Sequence, residues 1–466
     1  MLAPIWYSDR IQASNGNQLW FKLEPIVAHA LVRAASYLVS FVIGFAILAP
    51  VAIAAGPAEA SKYTGPGSCS SPACHGGVQA REETSVLQNE YSTWVVRDKH
   101  AHAYTVLTNP VGTRMAKILG LQKPDTAPKC LACHALDVPA EQRAKTFDLT
   151  DGVGCENCHG PASAWLGPHT TRDWKYEKSL ELGMFNTRDL VKRSEKCLSC
   201  HLGTPEKFVD HEMIAAGHPD LYFEMDSFMA VMPAHWKEVD KDPWVGVRTL
   251  GIGQAVQLRE QLKRVAREAQ GAIWPEYAEL ECFSCHHNLT AAKDSWRQER
   301  GYPGRRPGNA PLNLARFMVF RKVIQEADRG AAQQLESEML RVYSLVTALN
   351  SDRRQVASQA TGTAETADRI AQRLAGMQFD QAVTLRLMKS IAGDGGAIAE
   401  QGERSAEQAT MVLDSLFIAY SKNGHLGNEA QIKAAIHTLF QQLEDPSAYN
   451  GFEFARQLKS LNSLLP

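Results

Sequence analysis

Ten cysteines constrain this chain more than any other feature, because they form five pairs and a histidine follows each pair directly. Two residues separate the cysteines in four of the pairs, and four residues separate them in the first. The five segments are Cys69–His75, Cys130–His134, Cys155–His159, Cys197–His201 and Cys282–His286. No cysteine lies outside them, and none of the five ends in lysine in place of histidine. A fold for this chain must therefore place five similar small sites.

This spacing predicts covalent haem attachment. Two thiols one turn apart add to the two haem vinyl groups, and the adjacent histidine reaches the iron as the proximal ligand. The predicted attachment residues are Cys69, Cys74, Cys130, Cys133, Cys155, Cys158, Cys197, Cys200, Cys282 and Cys285. The predicted proximal ligands are His75, His134, His159, His201 and His286. We therefore expect five covalently attached haem c groups, with a lengthened loop between the two thioethers in the first motif.

Two other uses of cysteine pairs compete with haem. A disulfide framework is common in exported proteins, but it gives no reason for a histidine after each pair. Zinc ribbons use similar pairs, but they need four ligands for each ion, and five pairs do not divide evenly. Haem attachment is the interpretation that the sequence favours.

A second axial ligand closes a haem iron for electron transfer, and an open position allows catalysis. Apart from His29, nine further histidines are present: His100, His102, His169, His211, His218, His235, His287, His425 and His437. Five of them are predicted distal ligands: His100, His169, His211, His218 and His235. A surface or hydrogen-bonded role is the alternative for each.

The local sequence supports these five histidines. His100 lies in a predicted helix that begins at Glu90 and has an aromatic face. Gly217 and Pro219 predict that the helix starting at His211 ends before His218, so these two histidines should serve different irons. We assign His102 and His287 a smaller chance of ligation, and we expect structural roles for His425 and His437. Four methionines could supply thioether ligands but are expected to pack in the core: Met213, Met225, Met229 and Met232.

Three stretches carry a family resemblance: Trp94 to Ala101, Gly152 to Pro161 with the trailing His169, and His211 to Pro219. They resemble multihaem cytochromes of the cytochrome c-554 and hydroxylamine oxidoreductase superfamily, over about residues 63–302. The resemblance implies periplasmic electron transfer, closely spaced haem pairs, and distal ligation by His100, His169, His211 and His218. This chain departs from the two named members, which carry four and eight haems, by having five motifs, a stretched first motif and a long C-terminal tail.

The N-terminal region predicts export. Residues 34–58 carry no charge, Arg33 precedes them, and Ala58-Glu59-Ala60 offers a small-residue cleavage site. An uncleaved membrane anchor is the alternative, because the apolar run has about 20 residues. We favour a cleaved signal and a periplasmic protein, in contact with the membrane only through this segment if at all.

Composition divides the rest of the chain. We predict a signal or anchor over 1–60, a pentahaem cytochrome domain over 61–305 and a C-terminal helical domain over 306–466. The fold class is mainly α, with short helices and long loops around haems followed by an antiparallel bundle of four to six helices. Helical periodicity runs through Leu335, Met339, Val342, Val346 and Leu349. A second helix contains Met411, Ser415, Leu416, Ile418 and Tyr420 and should end at Asn423-Gly424. The stretch 352–376 is a weaker helix prediction, and the bundle is expected to cap the haem domain rather than to dock a partner.

Charge excludes one class of partner. With 49 basic and 51 acidic residues, the chain carries no excess of positive charge for nucleic acid. Haem propionates would add negative charge, partly paired with Arg172, Lys175, Arg305 and Arg306, which favours a redox partner that is basic or membrane-bound. The predicted function is electron transfer between a respiratory donor and an acceptor. The alternative is an oxidoreductase with one open iron, beside His211 or His235, acting on hydroxylamine, nitric oxide, nitrite or a small sulfur compound.

Overall fold

The protein is represented by a computed structural model that describes residues 61–84, 86–286, 302–303 and 309–466. Within these ranges the chain is mainly helical and forms no β-strand, only isolated bridges such as Tyr63 with Arg143. The expected mainly-α class is confirmed. The predicted signal or anchor over 1–60 lies outside the described residues, as do His29, His287, Arg305 and Arg306.

The region that carries the five motifs is built from short helices and long connections, as expected. Its α-helices are α1 (Glu90–Arg97), α2 (Pro110–Ile118), α3 (Pro128–His134), α4 (Cys155–His159), α5 (Tyr176–Glu181), α6 (Leu190–His201), α7 (His211–Ala215) and α8 (Met225–Val231). Its 3-10 turns are Pro66–Cys69, Lys99–His102, Pro124–Thr126, Ala140–Gln142, Leu149–Asp151, Pro168–Thr170, Tyr277–Glu279 and Cys282–Ser284. Prolines begin several of these elements, because a proline at the first helical position lacks only an N–H that the helix would not use.

Longer helices make up the rest of the molecule. They are α9 (Val245–Glu268), α10 (Ala315–Met318), α11 (Phe320–Ala327), α12 (Arg329–Thr347), α13 (Arg353–Ala375), α14 (Gln381–Gly393), α15 (Gly395–Glu400), α16 (Glu403–Asn423), α17 (Glu429–Gln441) and α18 (Gly451–Leu464), with a 3-10 turn at Pro446–Ala448. Six of those after residue 309 have 13 or more residues, the upper end of the expected number. Three short helices, α10, α11 and α15, were not predicted.

Helix α9 connects the motif region to these C-terminal helices. It packs along α13, and its buried residues belong to the same hydrophobic core as those of α10 to α18. A Cβ atom on Gly253 would lie 2.4 Å from Cβ of Met225, so the glycine lets α8 lie directly against α9. The predicted domain boundary near residue 305 stays a prediction, and the core described here extends to both sides of it.

The predicted helical periodicities are largely confirmed. In α12, Leu335, Met339, Val342 and Val346 are buried, but Leu349 lies beyond the helix end and is 83% exposed. The expectation for Leu349 was therefore wrong, because α12 ends at Thr347 before the pattern reaches it. Helix α16 ends at Asn423 as predicted. The weaker helix prediction over 352–376 is also confirmed, because α13 spans nearly all of that stretch.

The early motif region has little apolar core of its own. Its buried cluster consists of Leu107 and Leu131, with Val106 and Cys130 packed against it. So small a cluster could not by itself offset the conformational entropy of ordering such a segment. No helix of the described ranges has the length and apolar character needed to cross a membrane.

Candidate functional site

A single connected cavity brings the predicted site residues together. Its volume is about 5090 Å³, whereas a pocket for one small molecule encloses about 300–1,000 Å³. All ten cysteines and all five histidines that follow them line this cavity. Four predicted distal histidines line it as well: His100, His169, His218 and His235. The space is suited to several large apolar groups side by side.

Three of the five motifs lie at the C-terminal ends of helices. The motif histidines His134, His159 and His201 are the last residues of α3, α4 and α6. Residues three and four apart share a helix face, so both thiols and the imidazole of each motif project to the same side. The fifth motif forms a 3-10 turn instead, in which the His286 N–H donates to the Cys282 carbonyl at 2.8 Å.

The stretched first motif reaches a similar arrangement by a different backbone path. The Cys74 N–H donates to the Ser71 carbonyl at 2.8 Å, which folds the extra residues into a turn. The His75 N–H then reaches the Cys69 carbonyl at 3.3 Å. A Cβ atom on Gly76 would lie 1.8 Å from the Ser70 carbonyl oxygen, so only glycine fits where this turn closes.

Each of four motif histidines faces one predicted distal histidine. The ring centroids are 6.1 Å apart for His75 and His169, and 6.0 Å apart for His134 and His218. They are 5.9 Å apart for His201 and His100, and 6.4 Å apart for His286 and His211. His211 and His218 thus face different motif histidines, and Gly217, with φ of 109°, follows the end of α7 between them.

These spacings can be compared with the size of a metal ion between two imidazoles. An imidazole nitrogen binds a metal at about 2.0 Å, and the ring centre lies about 1.2 Å further out, so two rings on opposite sides of one ion are about 6.3 Å apart. The four observed values, 5.9 to 6.4 Å, fit this separation. Residues of this chain therefore fit haem iron between two histidines.

The remaining motif histidine, His159, lies near the remaining candidate, His235. Burial, with smaller contributions from His235 and His75, lowers the pKa of His159 to about 4. The ring of His235 packs edge-on against Trp236, with centroids 5.1 Å apart. His235 stands in the connection between α8 and α9, outside any helix.

Hydrogen bonds fix which ring nitrogen is available in four of the five distal candidates, His169, His218, His235 and His100. Nδ1 of His169, His218 and His235 lies 3.1, 2.7 and 3.2 Å from the backbone carbonyls of Trp165, Pro219 and Pro233. A carbonyl only accepts, so Nδ1 carries the proton and Nε2 keeps its lone pair for a metal. Nδ1 of His75 and of His100 instead bonds a carboxylate, from Glu90 and Asp98 respectively.

Burial keeps several of these imidazoles neutral. It lowers the pKa of His201 to about 3, and it also lowers the pKa of His134 and of His218. By contrast, the hydrogen bond from Glu90 raises the pKa of His75. A neutral imidazole is the form that binds a metal, so the buried rings are prepared for ligation.

Contacts between motifs place the five sites in a row. The Cys69 and Cys155 thiols lie close enough for Cys155 to lower the pKa of Cys69, which joins the first motif to the third, and Cys200 raises the pKa of Cys133, which joins the second to the fourth. Cys158 raises the pKa of Cys197, secondary to burial, which links the third motif to the fourth. His211, the first residue of α7, and His218, three residues beyond its end, are the partners for the fifth and second motifs. The spatial order is first, third, fourth, second, fifth.

Two residues that the sequence did not single out hold this arrangement. Glu156, between the cysteines of the third motif, accepts backbone N–H groups of Thr64, Gly65 and Ala162 at 2.7 to 2.9 Å. Gly152 has φ of 74°, and a Cβ atom there would lie 2.9 Å from the His100 carbonyl oxygen. The Gly-Val-Gly run before Cys155 was a usable signal for Gly152, and nothing in the sequence marked Glu156.

The other predicted residues fall into different environments. His102, Met213, Met229, Met232, Arg172 and Lys175 all line the cavity. Met225 is fully buried against α9, as packing requires. His437 is exposed, and His425 bonds Glu429 at the surface, so the structural roles expected for both stay predictions.

Comparison with known proteins agrees with this geometry. Residues 69–160 match the family model described as cytochrome c554 and c-prime. Cytochrome c-554 of Nitrosomonas europaea is 35% identical over an alignment of 92 residues, which covers 17% of this chain and 37% of that relative. The chain thus matches little more than a third of that relative's length. No solved structure matches the chain.

Cysteine pairs with adjacent histidines, opposed imidazoles and this match define a c-type cytochrome, a class that binds haem c covalently and acts in electron transfer or redox chemistry. The matched segment is similar to the cytochrome c-554 family. The resemblance to cytochrome c-554 drawn from the sequence is confirmed over residues 69–160.

Proposed function

We propose that this protein is a pentahaem c-type cytochrome that carries electrons in the periplasm between a respiratory donor and an acceptor. The observation that carries the proposal is the spacing of opposed imidazoles, 5.9 to 6.4 Å in four pairs, beside cysteine pairs that line one cavity. When bound, each haem would supply an iron that takes up and releases one electron.

The residues of the chain have distinct roles in this proposal. The ten cysteines hold the porphyrins, and the five motif histidines bind iron on the proximal side. Five distal histidines close the opposite side: His169 for the first motif, His218 for the second, His235 for the third, His100 for the fourth and His211 for the fifth. With both positions held by protein, no iron would be open to a substrate.

The row of motifs supports a relay. Thiols of neighbouring motifs lie close enough to shift one another's pKa, as Cys69 and Cys155 do and as Cys133 and Cys200 do, so porphyrins attached to them would have adjacent edges. The C-terminal helices close part of the cavity: Arg404 and Glu407 of α16 and Ala455 of α18 are among its lining residues. This supports a capping role for those helices, which exclude water and lower the local dielectric constant around the sites.

Export supports the periplasmic location. The uncharged run over 34–58 and the small-residue site after it are typical of a secretory signal. A partner that is basic or membrane-bound would suit the negative charge that propionates add to a chain of net charge −2.

Electron paramagnetic resonance of the oxidised holoprotein, with intact mass, tests the proposal. Five attached haems and only low-spin ferric signals are expected. Substitution of His169 by alanine should convert one low-spin centre to high spin, whereas substitution of the exposed His437 should convert none. Fewer than five haems, or a stoichiometric high-spin signal in the unmodified protein, would contradict the proposal.

One observation favours a second candidate, an oxidoreductase acting on a small nitrogen or sulfur compound. His235 lies on a connecting segment, outside any helix, and its ring packs edge-on against Trp236, whereas the distal candidates of the other four motifs each face a motif histidine ring to ring. In that case a high-spin signal should respond to nitric oxide or hydroxylamine, and substitution of His235 by alanine should leave the signal unchanged.

A further inference from the structure

Two of the ten histidines assigned to iron contact a carboxylate. Nδ1 of His75 lies 2.9 Å from Oε2 of Glu90, and Nδ1 of His100 lies 2.9 Å from Oδ1 of Asp98. Both carboxylates are shielded from solvent, with 17% of the Glu90 side chain and 4% of the Asp98 side chain exposed. Shielded ionic hydrogen bonds are stronger than exposed ones, because the local dielectric constant is low.

The other eight histidines differ in this respect. Three of them bond backbone carbonyls, which are neutral. Within the described ranges, no carboxylate oxygen lies within 4.0 Å of a ring nitrogen of His134, His159, His201, His286, His169, His211, His218 or His235. The five sites therefore divide into two groups. In two sites a carboxylate accepts the Nδ1 proton of one of the histidines assigned to iron, and in three sites no carboxylate of the described residues does so.

We propose that Glu90 and Asp98 are positioning residues that lower the reduction potentials of two haems, those held by the pairs His75–His169 and His201–His100. The inference rests on the bis-histidine ligation proposed above. A carboxylate that accepts the Nδ1 proton increases the basicity of the imidazole, which stabilises ferric over ferrous iron. Uptake of one electron, Fe³⁺ to Fe²⁺, removes one positive charge beside the carboxylate, so reduction becomes less favourable.

Local geometry holds both carboxylates in place. Oε1 of Glu90 accepts the Leu87 N–H at 2.7 Å, which leaves Oε2 for His75. Oδ1 of Asp98 accepts both the backbone N–H and Nδ1 of His100, at 3.0 and 2.9 Å. Neither side chain has to reorganise when the iron changes its charge. The first site is one end of the row, and the fourth is its centre.

These bonds predict different effects for different substitutions. In Glu90→Gln the amide oxygen stays with the Leu87 N–H and the –NH₂ group faces Nδ1, so the charge and the hydrogen bond to His75 are both lost. In Asp98→Asn the amide oxygen takes the place of Oδ1, so both hydrogen bonds remain and only the charge is lost. Glu90→Asp keeps the charge but is one methylene too short to keep the bond to His75.

The experiment is a spectroelectrochemical titration of the five-haem protein and these variants, with electron paramagnetic resonance of each oxidised form. Glu90→Gln should raise one of the five reduction potentials by about 59 mV, which corresponds to a tenfold change in the equilibrium constant of a one-electron reduction. Asp98→Asn should raise a different one by less, and Glu90→Asp should raise the same one as Glu90→Gln. The g-values of the affected low-spin centre should shift too.

A matched control is available in the C-terminal region. Nδ1 of His425 lies 3.1 Å from Oε1 of Glu429, in an exposed pair that does not line the cavity. Glu429→Gln removes the same kind of contact and should leave all five potentials unchanged.

Unchanged potentials in Glu90→Gln and Asp98→Asn, with five low-spin haems retained, would overturn this inference and leave bis-histidine ligation intact. Wild-type behaviour of Glu90→Asp would overturn the part assigned to the hydrogen bond between Glu90 and His75, because the charge of the carboxylate alone would then explain the shift. If Glu90→Gln fails to bind five haems, Asp98→Asn decides, since it keeps every hydrogen bond. A high-spin centre in the unmodified protein would instead contradict the proposed function.

Discussion

Glu156 holds the N–H group of Thr64 with both carboxylate oxygens, each at 2.9 Å. The two residues are far apart in the chain, and Glu156 lies between the cysteines of the third motif. The contact joins the segment before the first motif to the turn that carries the third. It explains how two neighbouring sites in the row are kept together where apolar packing is sparse.

Substitution of Glu156 by alanine should therefore destabilise the motif region. The N–H groups of Thr64, Gly65 and Ala162 would lose their acceptor, and each buried unsatisfied donor costs about 1–3 kcal/mol. Thermal unfolding of the holoprotein, followed by circular dichroism, measures the loss. Glu141→Ala, at an exposed position, is the control. Equal melting temperatures for the two variants would contradict the structural role of Glu156.

Gly152 should be required for the distal ligand of the fourth motif. Alanine there would place Cβ 2.9 Å from the His100 carbonyl oxygen, in a backbone conformation that only glycine adopts without strain. We expect Gly152→Ala to move His100 and to give one high-spin centre by electron paramagnetic resonance. Gly362→Ala, where the added Cβ meets nothing within 4 Å, should keep every centre low-spin. A fully low-spin Gly152→Ala protein would show that His100 tolerates the displacement.

Gly76 should be required for haem attachment at the first motif alone. An alanine Cβ would overlap the Ser70 carbonyl, and the turn that brings His75 to Cys69 could not close. Intact mass of Gly76→Ala should show four haems instead of five. Gly67→Ala, with open space at its Cβ, should retain all five. Full occupancy in Gly76→Ala would mean that attachment does not depend on this turn.

A buried ion pair should account for part of the loss of folding stability at acid pH. Nε of Arg264 lies 2.6 Å from Oε1 of Glu279, and Arg264 also donates to the Leu202 carbonyl at 3.1 Å. Burial alone would raise the pKa of Glu279, but the attraction of Arg264 and Arg316, with hydrogen bonds from Arg264 and Gln261, together outweighs it, and the pKa is lowered. Stability from this carboxylate is therefore present above the usual Glu pKa of about 4.3 and is lost as the pH falls through the lower, folded-state pKa.

Arg264→Leu should cost about 3–5 kcal/mol at neutral pH, because it leaves a buried carboxylate unpaired. Glu279→Gln should flatten the dependence of the melting temperature on pH in the acid range. The exposed pair of Arg267 and Glu206 provides the control, since Arg267→Ala should cost at most about 1 kcal/mol. A Glu279→Gln protein that loses stability in acid as steeply as the wild type would contradict the assignment.

The sequence was most informative where chemistry fixes the spacing of residues. The cysteine–histidine motifs, the four histidines that face them and the break of α7 before His218 all followed from residue types and local order. Which distal histidine faces which motif did not follow. That pairing joins residues distant in the chain and depends on tertiary packing, which no local pattern encodes.

Other features of the fold were out of reach for similar reasons. Helix α9 lies within the predicted pentahaem domain over 61–305, yet its apolar residues pack in the core formed with the C-terminal helices. His100 was expected on the helix that begins at Glu90, but Asp98 ends α1 and begins a separate 3-10 turn. Nothing in the third motif singled out Glu156. Its carboxylate accepts backbone N–H groups from distant residues, and a sequence does not show such contacts.

The opposed histidines also define a pattern of chain closure. With iron bound as proposed, each pair ties together segments roughly 75 to 100 residues apart, the range in which a covalent link most restricts an unfolded chain. Small secreted proteins obtain this restriction from disulfides, which here would compete for the same thiols. Metal coordination would thus serve as the cross-linking of this molecule, and its loss would release the longest loops first.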